Sequence, residues 1–202
     1  MFRAIAAIFF IAVLLTGCAG MRLVDSDVRS FVTASPIPAN STYRFERLPS
    51  QQADATQQTR LEALAQQALS KAGLQKSDTE AAYSVAVSVS TKVDSNSPWN
   101  PLTDRAGLGW NLGWGIPHGN MQRRGHPLLP LFGSIEQPYY WRQVSLIIRH
   151  LDTSQVVFET QAANDGPWSD GEAVVAAMLD AALKDFPNPP QGVRRINIEI
   201  PR

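Results

Sequence analysis

The sequence predicts an α+β domain: a two-layer sandwich whose mostly antiparallel sheet carries two helices on one face, interrupted by a long Gly/Pro/Trp-rich insert. Three observations predict it. Tyr83 to Val93 sets Tyr83, Val85, Val87, Val89 and Val93 on one face and small polar residues on the other, the period of a half-buried strand. Asp54 to Gly73 repeats Leu61, Leu64, Ala65, Ala68 and Ala72 at helical spacing. The element order runs strand, strand, helix, strand, insert, hairpin, helix, strand, which suits helices laid over a sheet.

Val24 to Thr33 reads as the first strand, with Val24, Val28 and Val32 among Asp25, Asp27 and Arg29. After the turn-like Ser35 to Asn40, Ser41 to Leu48 places Tyr43 and Phe45 on one face, and Pro49 stops it. Asp54 then caps a helix with Gln57 three residues on, and Gly73 supplies its C-terminal cap. Tyr139 to Leu151 alternates Val144, Leu146 and Ile148 against Gln143, Ser145 and Arg149. It turns through Asp152-Thr153-Ser154 into Gln155 to Ala163, making a hairpin. Ser169 with Glu172 predicts the cap of a second helix, whose stripe is Val175, Met178, Leu179, Ala182 and Phe186 before Pro187. Ile196, Ile198 and Ile200 end the chain on a strand.

The amino terminus carries its own signal. Arg3 precedes an unbroken apolar run from Ala4 to Leu15, too short to span a hydrocarbon layer about 30 Å thick and suited to a signal peptide. Leu15-Thr16-Gly17-Cys18 follows, and it resembles the bacterial lipobox: an apolar residue, two small residues and an obligatory cysteine. The resemblance implies signal-peptidase recognition of Leu15, Thr16 and Gly17, cleavage before Cys18, a thioether lipid on its sulfur and acylation of the new terminus. Cys18 is the only cysteine, so it forms no intramolecular disulfide. Two or more acyl chains anchor stably where one is marginal. With Ala19 and no aspartate after the cysteine, the resemblance points to the outer membrane of a Gram-negative bacterium. The expected division is residues 1–17 as cleaved signal peptide, 18–23 as lipidated tether, and 24–202 as a single domain with insert 94–138.

Charge narrows the partners. The 202 residues hold 18 basic and 18 acidic side chains, and the adjacent basic pairs are Arg123-Arg124 and Arg194-Arg195. Without a basic stripe, nucleic acid is not an expected partner. The membrane, reached through acyl chains on Cys18, is expected, together with an envelope protein partner.

The insert is far longer than a typical loop of about 4–6 residues, and it contains GLGWNLGWG, residues 107–115. Those glycines invite a phosphate-loop reading. However, no helix pattern and no Lys-Ser/Thr pair follows Gly115, and Ile116-Pro117 leads the chain away from helix. Read with period two, Leu108, Trp110, Leu112, Trp114 and Ile116 share one face and four glycines and Asn111 the other. The bulky face has three readings: packing on the domain, contact with a partner or lipid headgroups, and insertion in the bilayer. Arg123, Arg124 and Pro127 in the return limb count against insertion. Trp99, Trp110 and Trp114 are the candidate contact residues.

Catalytic patterns do not assemble. His118, His126 and His150 are scattered and do not make a metal set. Asp25 and Asp27 pair on alternate strand positions without a neighbouring His or Lys, and Ser84, Ser88 and Ser90 stand outside any Gly-x-Ser-x-Gly elbow. No enzyme activity, cofactor, metal site or catalytic residue is expected.

Taken together, the lipobox, SDVRSF leading to STYRFERLP, AYSVAVSVS, the Gly/Trp insert and YYWRQVSLIIRHLDTSQVVFE resemble the domain-of-unknown-function 4136 family of bacterial lipoproteins. Phe31, Thr42, Tyr43, Asp152 and Phe158 match that family's recurring positions, Phe158 standing where many members have tryptophan. The resemblance implies an α+β fold and an envelope location, and it brings no catalytic residues. The expected function is a lipid-anchored binding or scaffolding module at the outer membrane, facing the periplasm. The alternative is a carrier or sensor of a small apolar ligand.

Overall fold

A computed structural model describes residues 20–33, 37–94 and 138–201. In chain order the elements are β1 (Met21–Val32), β2 (Thr42–Phe45), α1 (Pro49–Ala53), α2 (Ala55–Lys71), β3 (Gln75–Lys76), β4 (Tyr83–Asp94), β5 (Tyr139–His150), β6 (Val156–Gly166), α3 (Gly171–Ala182) and β7 (Val193–Pro201). They make a mixed α/β domain around one seven-stranded sheet, ordered β3, β2, β4, β5, β6, β1, β7.

The sheet is mixed, which corrects the expected mostly antiparallel one. β2 runs parallel to β3 and to β4, with Tyr43 opposite Tyr83. The chain between β2 and β4 passes through α1 and α2, and a helical crossover returns it to the end where it started, so the second strand runs parallel to the first. From β4 to β7 neighbours pair antiparallel. β1 starts at Met21, inside the expected tether, because its ladder with β7 runs out to Met21 opposite Pro201.

Pro49 opens α1 instead of merely ending a strand. A missing N–H costs nothing in a helix's first turn, and the Leu48 N–H is taken by Gln51 Oε1 at 2.8 Å. Asp54 caps α2 as the spacing predicted, its Oδ1 accepting from Gln57 N. At the other end Gly73 stands at φ +89°, and its N–H meets Ser70 O while Leu74 N meets Leu69 O. That paired closure needs a left-handed residue, which glycine supplies without a Cβ clash.

The core lies where α2 and α3 pack on the sheet and on each other. Tyr43, Val85, Val87, Val144, Leu146, Ile148 and Phe158 come from the strands; Leu69, Val174, Met178 and Leu179 come from the helices. Burying each large side chain contributes about 1.5–3 kcal/mol before entropy is counted. Of the family-matched residues, Tyr43 and Phe158 are buried and Phe158 packs edge-on against Phe186, 4.9 Å between centroids, whereas Phe31 is exposed. The Thr160 hydroxyl donates to Ala182 O at 3.0 Å and sits 2.9 Å from Ser30 Oγ, tying the end of α3 to β6 and β1. No described helix is long and apolar enough to cross a membrane.

Candidate functional site

A cavity of about 500 Å³ opens where the first turns of α2 and α3 meet β4 and β5. Its apolar wall is Leu61, Leu64, Val89 and Val175, and its polar rim includes Arg60, Thr91, Arg142 and Glu172. Cavities of this size, mostly apolar with a few converging polar groups, are what small ligands occupy.

Arg142 is the unusual member. It follows the same side of β5 as Val144, Leu146 and Ile148, facing inward opposite Thr91, and is only 4 % exposed. Its Nη2 donates to Trp168 O at 2.5 Å, and its Cζ stands 4.6 Å from the Tyr140 ring centroid. Its Nη1 is buried, and among the described residues it has neither a hydrogen-bond partner nor a carboxylate to pair with. Burial draws its pKa below the ordinary arginine value; Tyr140 opposes that effect and the charge of Arg22 adds to it. A guanidinium keeps its proton even so. A buried charge without an opposite charge is costly to the fold, which is why such groups are normally paired.

Beside it, Arg22 pairs with Asp170 and lies over the Trp168 ring at 4.8 Å. This pair explains a departure from expectation. The N-cap of α3 is Asp170, not Ser169; Asp170 makes no side-chain cap bond, and its Oδ2 pairs with Arg22. The first turn of α3 therefore meets the cavity without a side-chain cap.

A second cavity, about 510 Å³, lies near Arg44, Glu46, Ser84, Arg149 and His150. Two of its charges pair: Arg149 Nη1 stands 3.6 Å from Glu46 Oε2, which also accepts from Ser84 Oγ at 2.9 Å. The cavity beside Arg142 is thus the stronger candidate.

Other sequence candidates fall elsewhere. Leu15, Thr16, Gly17, Cys18, Trp99, Trp110, Trp114, His118 and His126 lie outside the described residues. Asp27 is held by Arg195, Nε to Oδ1 at 3.0 Å, and that hydrogen bond keeps its carboxyl below the usual range, the wrong direction for a general acid. His150 packs edge-on against Tyr83. Among the described residues no group of three or more His, Cys, Asp and Glu side chains is placed to hold a metal ion. The sequence reading missed Arg142, although an arginine in register with Val144, Leu146 and Ile148 was a visible signal.

The fold and site together define a mixed α/β domain with an arginine-walled cavity between its helix starts. The chain belongs to the DUF4136 family, a domain of unknown function, whose match covers residues 27–188. No curated protein matches it. Among solved structures it is similar to a PDZ domain protein from Parabacteroides distasonis ATCC 8503, at 13 % identity and TM-score 0.48 over 96 % of this chain. The chain spans 42 % of that protein's length. It is also similar to a PelC dodecamer from Paraburkholderia phytofirmans, at 12 % identity and TM-score 0.44 over 77 % of this chain and 95 % of that one.

Proposed function

We propose that this chain is a lipid-anchored envelope lipoprotein whose domain binds a small ligand in the cavity beside Arg142. The cavity is the observation that supports the reading: a mostly apolar lining with Arg60, Thr91, Arg142 and Glu172 among it. It favours the carrier or sensor role over catalysis, because the titratable groups around it form no nucleophile and base pair. Thermal-shift screening of the purified full chain against small organic molecules tests it. Hits that stabilise wild type and lose their effect in Leu64→Trp support the reading, since that substitution fills the apolar wall; hits indifferent to it count against the cavity.

The anchor belongs to the same proposal: acylation of Cys18, outer-membrane residence and a periplasm-facing domain. The lipobox Leu15-Thr16-Gly17-Cys18 supports it. In Cys18→Ser, labelled palmitate should no longer be incorporated and the outer-membrane fraction should empty; unchanged fractionation defeats the anchor. We also read the architecture as two layers, α2 and α3 over the sheet, with 94–138 as an insert bearing a Trp99, Trp110 and Trp114 contact surface for an envelope protein. Deletion of residues 99–134 tests that surface through envelope pull-downs.

A further inference from the structure

We propose that the cavity selects a carboxylate carried on an apolar body, its oxygens received by Arg142 Nη1 and the uncapped first turn of α3. The proposal rests on the ligand-binding reading above and specifies what that ligand must carry.

Two independent observations meet at one place. The first is the buried guanidinium. Arg142 lines the cavity, with its Nη2 bonded to Trp168 O and its face over Tyr140, which leaves Nη1 as a buried donor without an acceptor among the described residues. Leaving a buried charged donor unmade costs more than making its bond returns, so an anion arriving there recovers that cost. The second is α3. Gly171 N–H meets Ser169 O at 2.9 Å, but the N–H groups of Glu172 and Ala173 have no acceptor among the described residues, the N-cap Asp170 makes no side-chain cap bond, and Gly171 lines the cavity with no side chain in the way. The start of α2, on the opposite wall, is already satisfied by its own Asp54. The cavity's anion-seeking end is therefore the α3 side.

Leu61, Leu64, Val89 and Val175 then form the track for an apolar body extending away from that end. Glu172 and Arg60 both stand on the rim, and Glu172 disfavours a second negative charge beside it.

The test measures affinities of hexanoate, hexanol and hexyl phosphate for the full chain in a non-ionic detergent, the probes being short enough to stay in water. Hexanoate should bind about tenfold or more tighter than hexanol, the size expected of one charge-assisted hydrogen bond. Hexyl phosphate should bind more weakly than hexanoate, and Glu172→Gln should close that gap. Arg142→Gln should bring hexanoate down to the level of hexanol, and Leu64→Trp should abolish binding of all three. Where Arg142→Gln does not fold, Arg142→Lys serves: hexanoate then falls several-fold while hexanol holds.

Equal binding of hexanoate and hexanol to wild type, with both lost in Leu64→Trp, overturns the carboxylate but leaves the cavity reading standing. So does a hexanoate preference that survives Arg142→Gln and Arg142→Lys, since Nη1 then serves buried water alone. Tighter binding of hexyl phosphate than of hexanoate overturns the single-charge assignment. Absence of any binding that Leu64→Trp can remove overturns both.

Discussion

The Arg22 guanidinium lies over the Trp168 ring, 4.8 Å from its centroid, while pairing with Asp170 at the start of α3. One cation thus holds the β6 to α3 connection through both the indole and the N-cap carboxylate. Arg22 itself is buried and Asp170 is half exposed, so removing the acid strands a charge that water cannot easily reach. Asp170→Ala should cost about 1–3 kcal/mol in urea unfolding and shift Trp168 emission. A loss no larger than for an ordinary surface substitution contradicts the pairing.

Tyr43 is fully buried, and its hydroxyl has no hydrogen-bond partner among the described residues. Burial pushes its pKa up to about 12 from 10.0. The unfolded chain therefore ionises first, and Tyr43 supports the fold fully below pH 10.0 and progressively less up to about pH 12. Tyr43→Phe should leave stability at neutral pH equal or better, because no bond is lost, and should flatten the decline across that window. Denaturant melts at neutral pH and at intervals through the window check both statements.

At Gly73 a Cβ would meet nothing within 4 Å, yet φ is +89°. The effect of Gly73→Ala is then backbone strain alone, about 1–2 kcal/mol of lost stability in a thermal or urea melt. Gly171 also has open space around its Cβ position and has no positive φ, so Gly171→Ala should be far milder in the same measurement.

Thr160 joins Ala182 O and Ser30 Oγ inside the core. Thr160→Val keeps the volume but leaves both partners unsatisfied, so it should destabilise by about 1–3 kcal/mol. Hydrogen exchange at the C-terminal turn of α3 should rise with it. Thr160→Ser, which keeps the hydroxyl, should retain most of that protection.

The long periodic elements were legible because one property decided them. β4 shows its buried side in Tyr83, Val85 and Val87, and α2 announces both ends through Asp54 and Gly73. The β5 and β6 hairpin was read within three residues at each end. The parallel pairing of β2 was not, although strand, helix, strand is the pattern that produces it. Two-residue β3 is too short to show any period. The cap of α3 was misplaced because local spacing favoured Ser169, while the deciding partner of Asp170, Arg22, lies 148 residues away in sequence. Arg142 escaped notice for a related reason: an arginine between apolar positions looks like a surface residue until the helices that bury it are placed.

The cavity beside Arg142 is proposed as a ligand site. Native mass spectrometry of the lipidated chain purified from its host tests it most directly, comparing wild type with Leu64→Trp prepared in the same way. A ligand site there requires a stoichiometric organic adduct on the wild-type protein beyond the acyl groups, absent from Leu64→Trp. A wild-type spectrum with no such adduct, or one that Leu64→Trp retains unchanged, contradicts it.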